Sequence, residues 1–333
     1  MQGDLQITVK GLPEESATKF GNTVGVIIKA LINAMPRLDL RRMYQVILTT
    51  DFAAEMVELS KRIESGNLIT YTSEEYATAV AKVFIFPYEN DYENLLVFNA
   101  NVAAGLLMHK ESESYDQERF DAALHLLHHE LCHVHDNNKK LDVLSEWMMR
   151  HSVIGKNIFI FPLAEVCWAE YIANYLSSSS ASKKEIDVVV GSFNDAIVRT
   201  KPLIDKAIYE YRYHGDLDKL MGEFGRHGEF LAKVAAYTLG YMDGLGESLE
   251  KLSDNAAKSL SGSYFEPTWK SMVKALRNMR EIYPDDWKDI NVYNELFFVV
   301  ESYYSDMGFV LSVTPEGLAH VNIPFRPETT PPD

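Results

Sequence analysis

His125-Leu-Leu-His-His-Glu-Leu-Cys-His-Val-His-Asp136, HLLHHELCHVHD, is the stretch that decides how this chain is read. It carries His125, His128, His129, His133 and His135 of the chain's ten histidines, with no proline among them. Its uncharged members Leu126, Leu127, Leu131, Cys132 and Val134 suit a buried helix, predicted from about Asp116 to Asp136. Within it, His129-Glu130-Leu131-Cys132-His133 is an HExxH. A helix turns about 100° per residue, so His129 and His133 stand about 40° apart on one face and Glu130 about 100° from His129. Two imidazoles one turn apart can bite a single metal ion. The glutamate is too far round to be a ligand but can reach a metal-bound water, and that arrangement is the logic of a zinc-hydrolase helix.

Zinc needs a third protein ligand. The extended pattern HExxHxxGxxH fails, because Asp136 stands at its glycine and Lys139 at its last histidine. An acid from a later helix is then required. The segment PLAEVCWAEYIANYL at 162–176, predicted helical with Pro162 in its first turn, offers Glu165 and Glu170. These are about 140° apart on a helix, so one of them faces the metal. Glu170 is favoured, because Asn174 one turn later can steady a ligand histidine by hydrogen bonding.

HELCH followed by Glu170-Tyr171-Ile172-Ala173-Asn174 resembles the gluzincin metallopeptidases, and its Glu-x-x-Ala-Asn form is similar to the ImmA/IrrE-type peptidases. The resemblance covers about residues 94–176. It implies a zincin-like α+β domain with a small mixed sheet. It implies Zn²⁺ held by His129, His133 and Glu170, Glu130 as general base, and a peptide or protein substrate. It also implies an edge strand before the metal helix that holds the peptide, placing Asn99 and Ala100 of LLVFNANVAA (95–104) in substrate binding. A tyrosine or histidine should steady the oxyanion, for which Tyr211, Tyr213 and His214 in YEYRYHGD are the candidates, with His227 besides. The competing reading is a zinc-binding scaffold or regulator of the same fold with no catalysis.

Outward from this segment, helices are expected at 14–34 and 52–64 and strands at 44–50, 79–86 and 94–102, the last two as a hairpin. Downstream of Ser177–Ser180 the chain reads as helical at 184–199, 202–213, 228–243, 266–281 and 289–305, ending in a hairpin around Thr314-Pro315-Glu316-Gly317. The expected division is an α+β domain over 1–180, a helical domain over 184–323 and a disordered tail over 324–333 with four prolines. The net charge of −16 argues against nucleic-acid and anionic-membrane partners. Two cysteines, Cys132 and Cys167, and no export signal point to a reducing cytoplasm.

Overall fold

The computed structural model describes residues 5–35, 38–62, 73–74, 77–78, 80–89, 91–108, 116–150 and 154–330. The chain is α+β and divides into two compact units, Met1–Asp142 with Ser179–Ser182, and Val143–Ser178 with Lys183–Asp333.

In the first unit the order is β1 (Gln6–Lys10), α1 (Glu14–Ala34), β2 (Met43–Thr49), α2 (Phe52–Arg62), the short pair β3 (Ser73–Glu74) and β4 (Ala77–Thr78), β5 (Ala81–Tyr88), β6 (Asp91–Asn99), α3 (Ala100–Ala103) and α4 (Gln117–Arg150), whose residues from Val143 on count with the second unit. A four-stranded mixed sheet runs β1-β2-β6-β5. β1, β2 and β6 are parallel, and β5 returns antiparallel to β6, Phe84 facing Leu95 and Lys82 facing Val97. Both faces are covered, which is why VIL at 46–48 and LLVF at 95–98 read as unbroken apolar runs. Val46, Leu48, Leu96 and Phe98 pack against Phe20, Val24 and Ile28 of α1 and Leu127, Leu131 and Val134 of α4. Ile47, Leu95 and Val97 pack on the other face against Phe52, Met56 and Leu59 of α2.

The second unit holds α5 (Asn157–Ser177), α6 (Lys183–His214), α7 (Leu217–Phe224), α8 (Phe230–Leu245), α9 (Leu249–Leu252), α10 (Asp254–Leu260), α11 (Glu266–Glu281) and α12 (Asn294–Asp306), then the hairpin β7 (Val310–Val313) and β8 (Ala319–Asn322). The amide of Gly317 donates to the carbonyl of Thr314 at 2.9 Å, closing the expected turn. A single π-helical turn, Gly225–Glu229, joins α7 to α8. Among the described residues no helix is long and apolar enough to cross a membrane.

Helices α5 and α8 cross closely because Gly240 and Gly244 present no side chain. A Cβ on Gly240 would stand 2.6 Å from the carbonyl oxygen of Tyr171 and 2.7 Å from Cβ of Asn174. Neither neighbour can swing away, since one is backbone and the other sits at the root of its side chain. Gly240→Val is therefore expected to lower unfolding stability by about 2–3 kcal/mol or more, read from the urea midpoint at unchanged slope.

Several expectations are corrected. α5 begins at Asn157, so Pro162 lies inside the helix rather than in its first turn. α5 also groups with the second unit, not with the expected domain over 1–180. The helices expected at 184–199 and 202–213 are one, running through Pro202, because Ile197, Ile204 and Ile208 bury a continuous face on both sides of it. Pro324–Thr330 does not fray. Arg212 donates to the carbonyls of Ile323 (2.9 Å) and Pro324 (2.8 Å), Arg326 donates to those of Asp306 (2.9 Å) and Ser305 (2.7 Å), and Thr329 is buried. Residues 331–333 of the expected tail lie outside the described residues.

The strand expected to hold substrate is corrected too. β6 lies between β2 and β5 with both edges hydrogen-bonded, so no peptide can add to it. It ends at Asn99, whose side chain accepts from the amide of Asn101 at 2.9 Å and caps α3, while Ala100 is buried in the core. Asn99 and Ala100 are a strand end and a helix start.

Candidate metal centre

The rotation of α4 is set by its apolar side. Leu127, Leu131 and Val134 are buried against the sheet. His129 and His133 each follow one of those leucines by two residues, about 200° round the helix, and so face away from the sheet. Nε2 of His129 and Nε2 of His133 are 3.0 Å apart, with the rings edge to face at 87°. Glu130 beside them is buried, at 7 % exposure.

One turn further on, α4 is fastened to the loop before β2. The amide of Asp39 donates to Nδ1 of His135 at 2.8 Å, and Nδ2 of Asn138 donates to the Asp39 carbonyl at 2.9 Å. Lys139, which stands where an extended zinc motif would need histidine, instead pairs with Asp39 at 3.0 Å. Burial works against the charge on Asp39, but Lys139 and the amide of Arg41 outweigh it and hold the carboxyl below its usual range. Asn94 on β6, fully buried, donates to Asn138 at 3.1 Å and accepts from Asn137 at 3.0 Å. These bonds fix the helix along its axis, as its leucines fix its rotation.

The surplus histidines have partners outside the His129–His133 pair. Nδ1 of His125 and Nδ1 of His128 lie 2.9 Å and 2.8 Å from the hydroxyl of Ser180. Burial first, then the neighbouring His129, pushes His125 down to about 3 and His128 to about 4, so both rings are neutral at pH 7. His128, His135 and Cys132 are engaged separately. His128 goes to Ser180, His135 goes to Asp39, and Cys132 is fully buried with its thiol pushed up by desolvation.

In α5, Glu170 is partly buried and its Oε1 lies 3.3 Å from Nζ of Lys233. Asn174 is buried and turns its amide back to the Glu170 carbonyl at 3.0 Å. It steadies its own helix rather than donating that amide to a histidine. His129 and His133, one turn apart on α4, offer two imidazole nitrogens that could hold a metal ion. The donors fit zinc. Two imidazole nitrogens at about 2.0–2.1 Å from one tetrahedral ion stand roughly 3.3 Å apart, close to the 3.0 Å between these two rings, and imidazole nitrogen is a borderline-soft donor.

The expected oxyanion donors have other roles. Tyr213 is largely exposed and its hydroxyl pairs with that of Tyr209 at 2.8 Å. His214 accepts the amide of Asp216 at 2.9 Å through Nδ1, at the junction of α6 and α7, and Tyr211 stacks edge-on against it. His227 is buried in the π turn, 3.5 Å from Glu223.

Sequence reasoning missed two groups. Lys233 sits at Glu170 through a helix pairing that no local motif announces. Glu229, at the end of the π turn, is the other; the hydroxyl of Tyr304 donates to its Oε1 at 2.9 Å. Burial raises the Glu229 carboxyl above its ordinary 4.5, Tyr304 opposing only in part. Below pH 4.5 the group is protonated in both the folded and the unfolded chain. As pH climbs past 4.5 the unfolded chain ionises first, so folding loses stability until the folded group ionises too. Glu229→Gln should therefore leave stability unchanged near pH 4 and raise it at pH 8, measured by urea unfolding at both.

No known family, no curated protein and no solved structure matches this chain.

Proposed function

We propose that the protein is a zinc-dependent metallopeptidase. The observation that carries this reading is the HExxH pair on α4, Nε2 of His129 and Nε2 of His133 standing 3.0 Å apart beside the buried Glu130. His129 and His133 supply nitrogen and Glu170 a carboxylate oxygen. Zinc, when bound, supplies a Lewis acid for the scissile carbonyl and lowers the pKa of its water toward about 7. Glu130 neighbours this pair of histidines without sharing their face. Its carboxylate takes the proton of the attacking water and passes it to the leaving amine nitrogen, which becomes the new amino terminus. The intact base favours catalysis over a scaffold role, since a purely structural metal site needs no proton acceptor beside it.

The test is a screen of mixed peptide substrates with the zinc-loaded protein, followed by mass spectrometry of the products. Cleavage that stops on chelation and returns with zinc supports the reading. A loaded protein that cleaves nothing in peptides or unfolded proteins contradicts it.

A further inference from the structure

We propose that Lys233 is the resident counter-cation of the metal centre, holding the Glu170 carboxylate in the metal-free protein and opposing the metal for it, so that this lysine sets how tightly the ion is held. This role rests on Glu170 being the third ligand. Nζ of Lys233 lies 3.3 Å from Oε1 of Glu170, and the two side chains keep only 29 % and 13 % of their exposure. The lysine is not loosely placed. It is on α8, whose close crossing with α5 is fixed by Gly240 and Gly244, and its ammonium also lies 5.5 Å from the ring centre of Tyr237, one turn on. The charge is thus held by a carboxylate on one side and an aromatic face on the other.

Without metal, the ammonium of Lys233 at 3.3 Å holds the partly buried carboxylate in place, so the ligand is positioned in advance. A divalent ion taken up by the same carboxylate would have to share it with a fixed positive charge, in surroundings that screen less than water. Lys233 therefore preorganises the ligand and weakens the bound state. This is a positioning role, exerted through Glu170.

The experiment is a zinc titration of the full chain at pH 7.5 against a chromophoric chelator, for wild type, Lys233→Met, Lys233→Arg and Glu170→Ala, with thermal melts of the metal-free proteins alongside. Methionine keeps the apolar stem and removes the charge; arginine keeps the charge. Lys233→Met is expected to bind zinc about tenfold or more tightly than wild type, while its metal-free form melts lower. Lys233→Arg should stay within about threefold of wild type, and serves if the methionine variant does not fold, since an arginine variant that binds tenfold tighter also overturns the proposal. Glu170→Ala should bind about a hundredfold or more weakly. Lys233→Met binding zinc no tighter than wild type, with Glu170→Ala weakened, overturns the role of Lys233 alone. Glu170→Ala binding as wild type does, or a wild type that binds no zinc, overturns the ligand assignment and this inference with it.

Discussion

Glu130→Gln is expected to lower peptide cleavage by about a hundredfold to ten-thousandfold while leaving bound zinc unchanged. The substitution keeps the shape of a side chain that is 7 % exposed, so neither the core nor the pitch of α4 should move. It removes only the proton acceptor. The metal is untouched because Glu130 stands about 100° round the helix from His129, outside the ligand face. The measurement pairs turnover with elemental analysis on one preparation. Lost turnover at full zinc identifies a base. Turnover equal to wild type would remove Glu130 from the mechanism and return the scaffold reading.

Asp243→Ala should lower the unfolding stability of the second unit by about 3 kcal/mol. Asp243 is almost fully buried and its carboxylate is held by three side chains. The hydroxyl of Tyr171 donates at 2.7 Å, Arg277 binds in a fork with its shorter arm at 2.7 Å, and Arg280 donates at 2.8 Å. Removing the carboxylate leaves two guanidinium groups facing each other and a tyrosine hydroxyl without an acceptor. Both arginines keep some exposure, 42 % and 25 %, so water offsets part of the cost and the loss falls at the low end for a broken buried pair. Because Tyr171 adjoins Glu170 on α5, the variant should also weaken zinc binding in proportion to its lost order. Urea unfolding at pH 7 checks the first expectation; a loss under about 1 kcal/mol would mean the arginines find other partners.

The candidate site is legible in the sequence because its information is local. His129, Glu130 and His133 sit within five residues of one helix, and the apolar side of that helix fixes where they face. Glu170 is legible for a weaker reason, as an acid in a later helix, and the task expected of Asn174 is one that its bond to the Glu170 carbonyl does not perform. The strands are readable from their apolar runs, but their order is not. Nothing in LLVFNANV says that β2 and β5 occupy both its edges, so the sequence suggests an edge-bound peptide where the sheet is closed. Pro202 reads locally as a helix break, and burial of Ile204 and Ile208 overrides its local cost. Lys233 and the Asp243 cluster depend on how α5, α8 and α11 pack, and no pattern within any one of these helices encodes it.

The most direct test is the zinc content of the purified protein by elemental mass spectrometry, beside His129→Ala and Glu170→Ala, each shown to be folded. Close to one equivalent is expected in the wild type and little in either variant. A folded wild type that takes up no zinc from excess, or a Glu170→Ala variant that keeps its full equivalent, would contradict the three-ligand zinc centre.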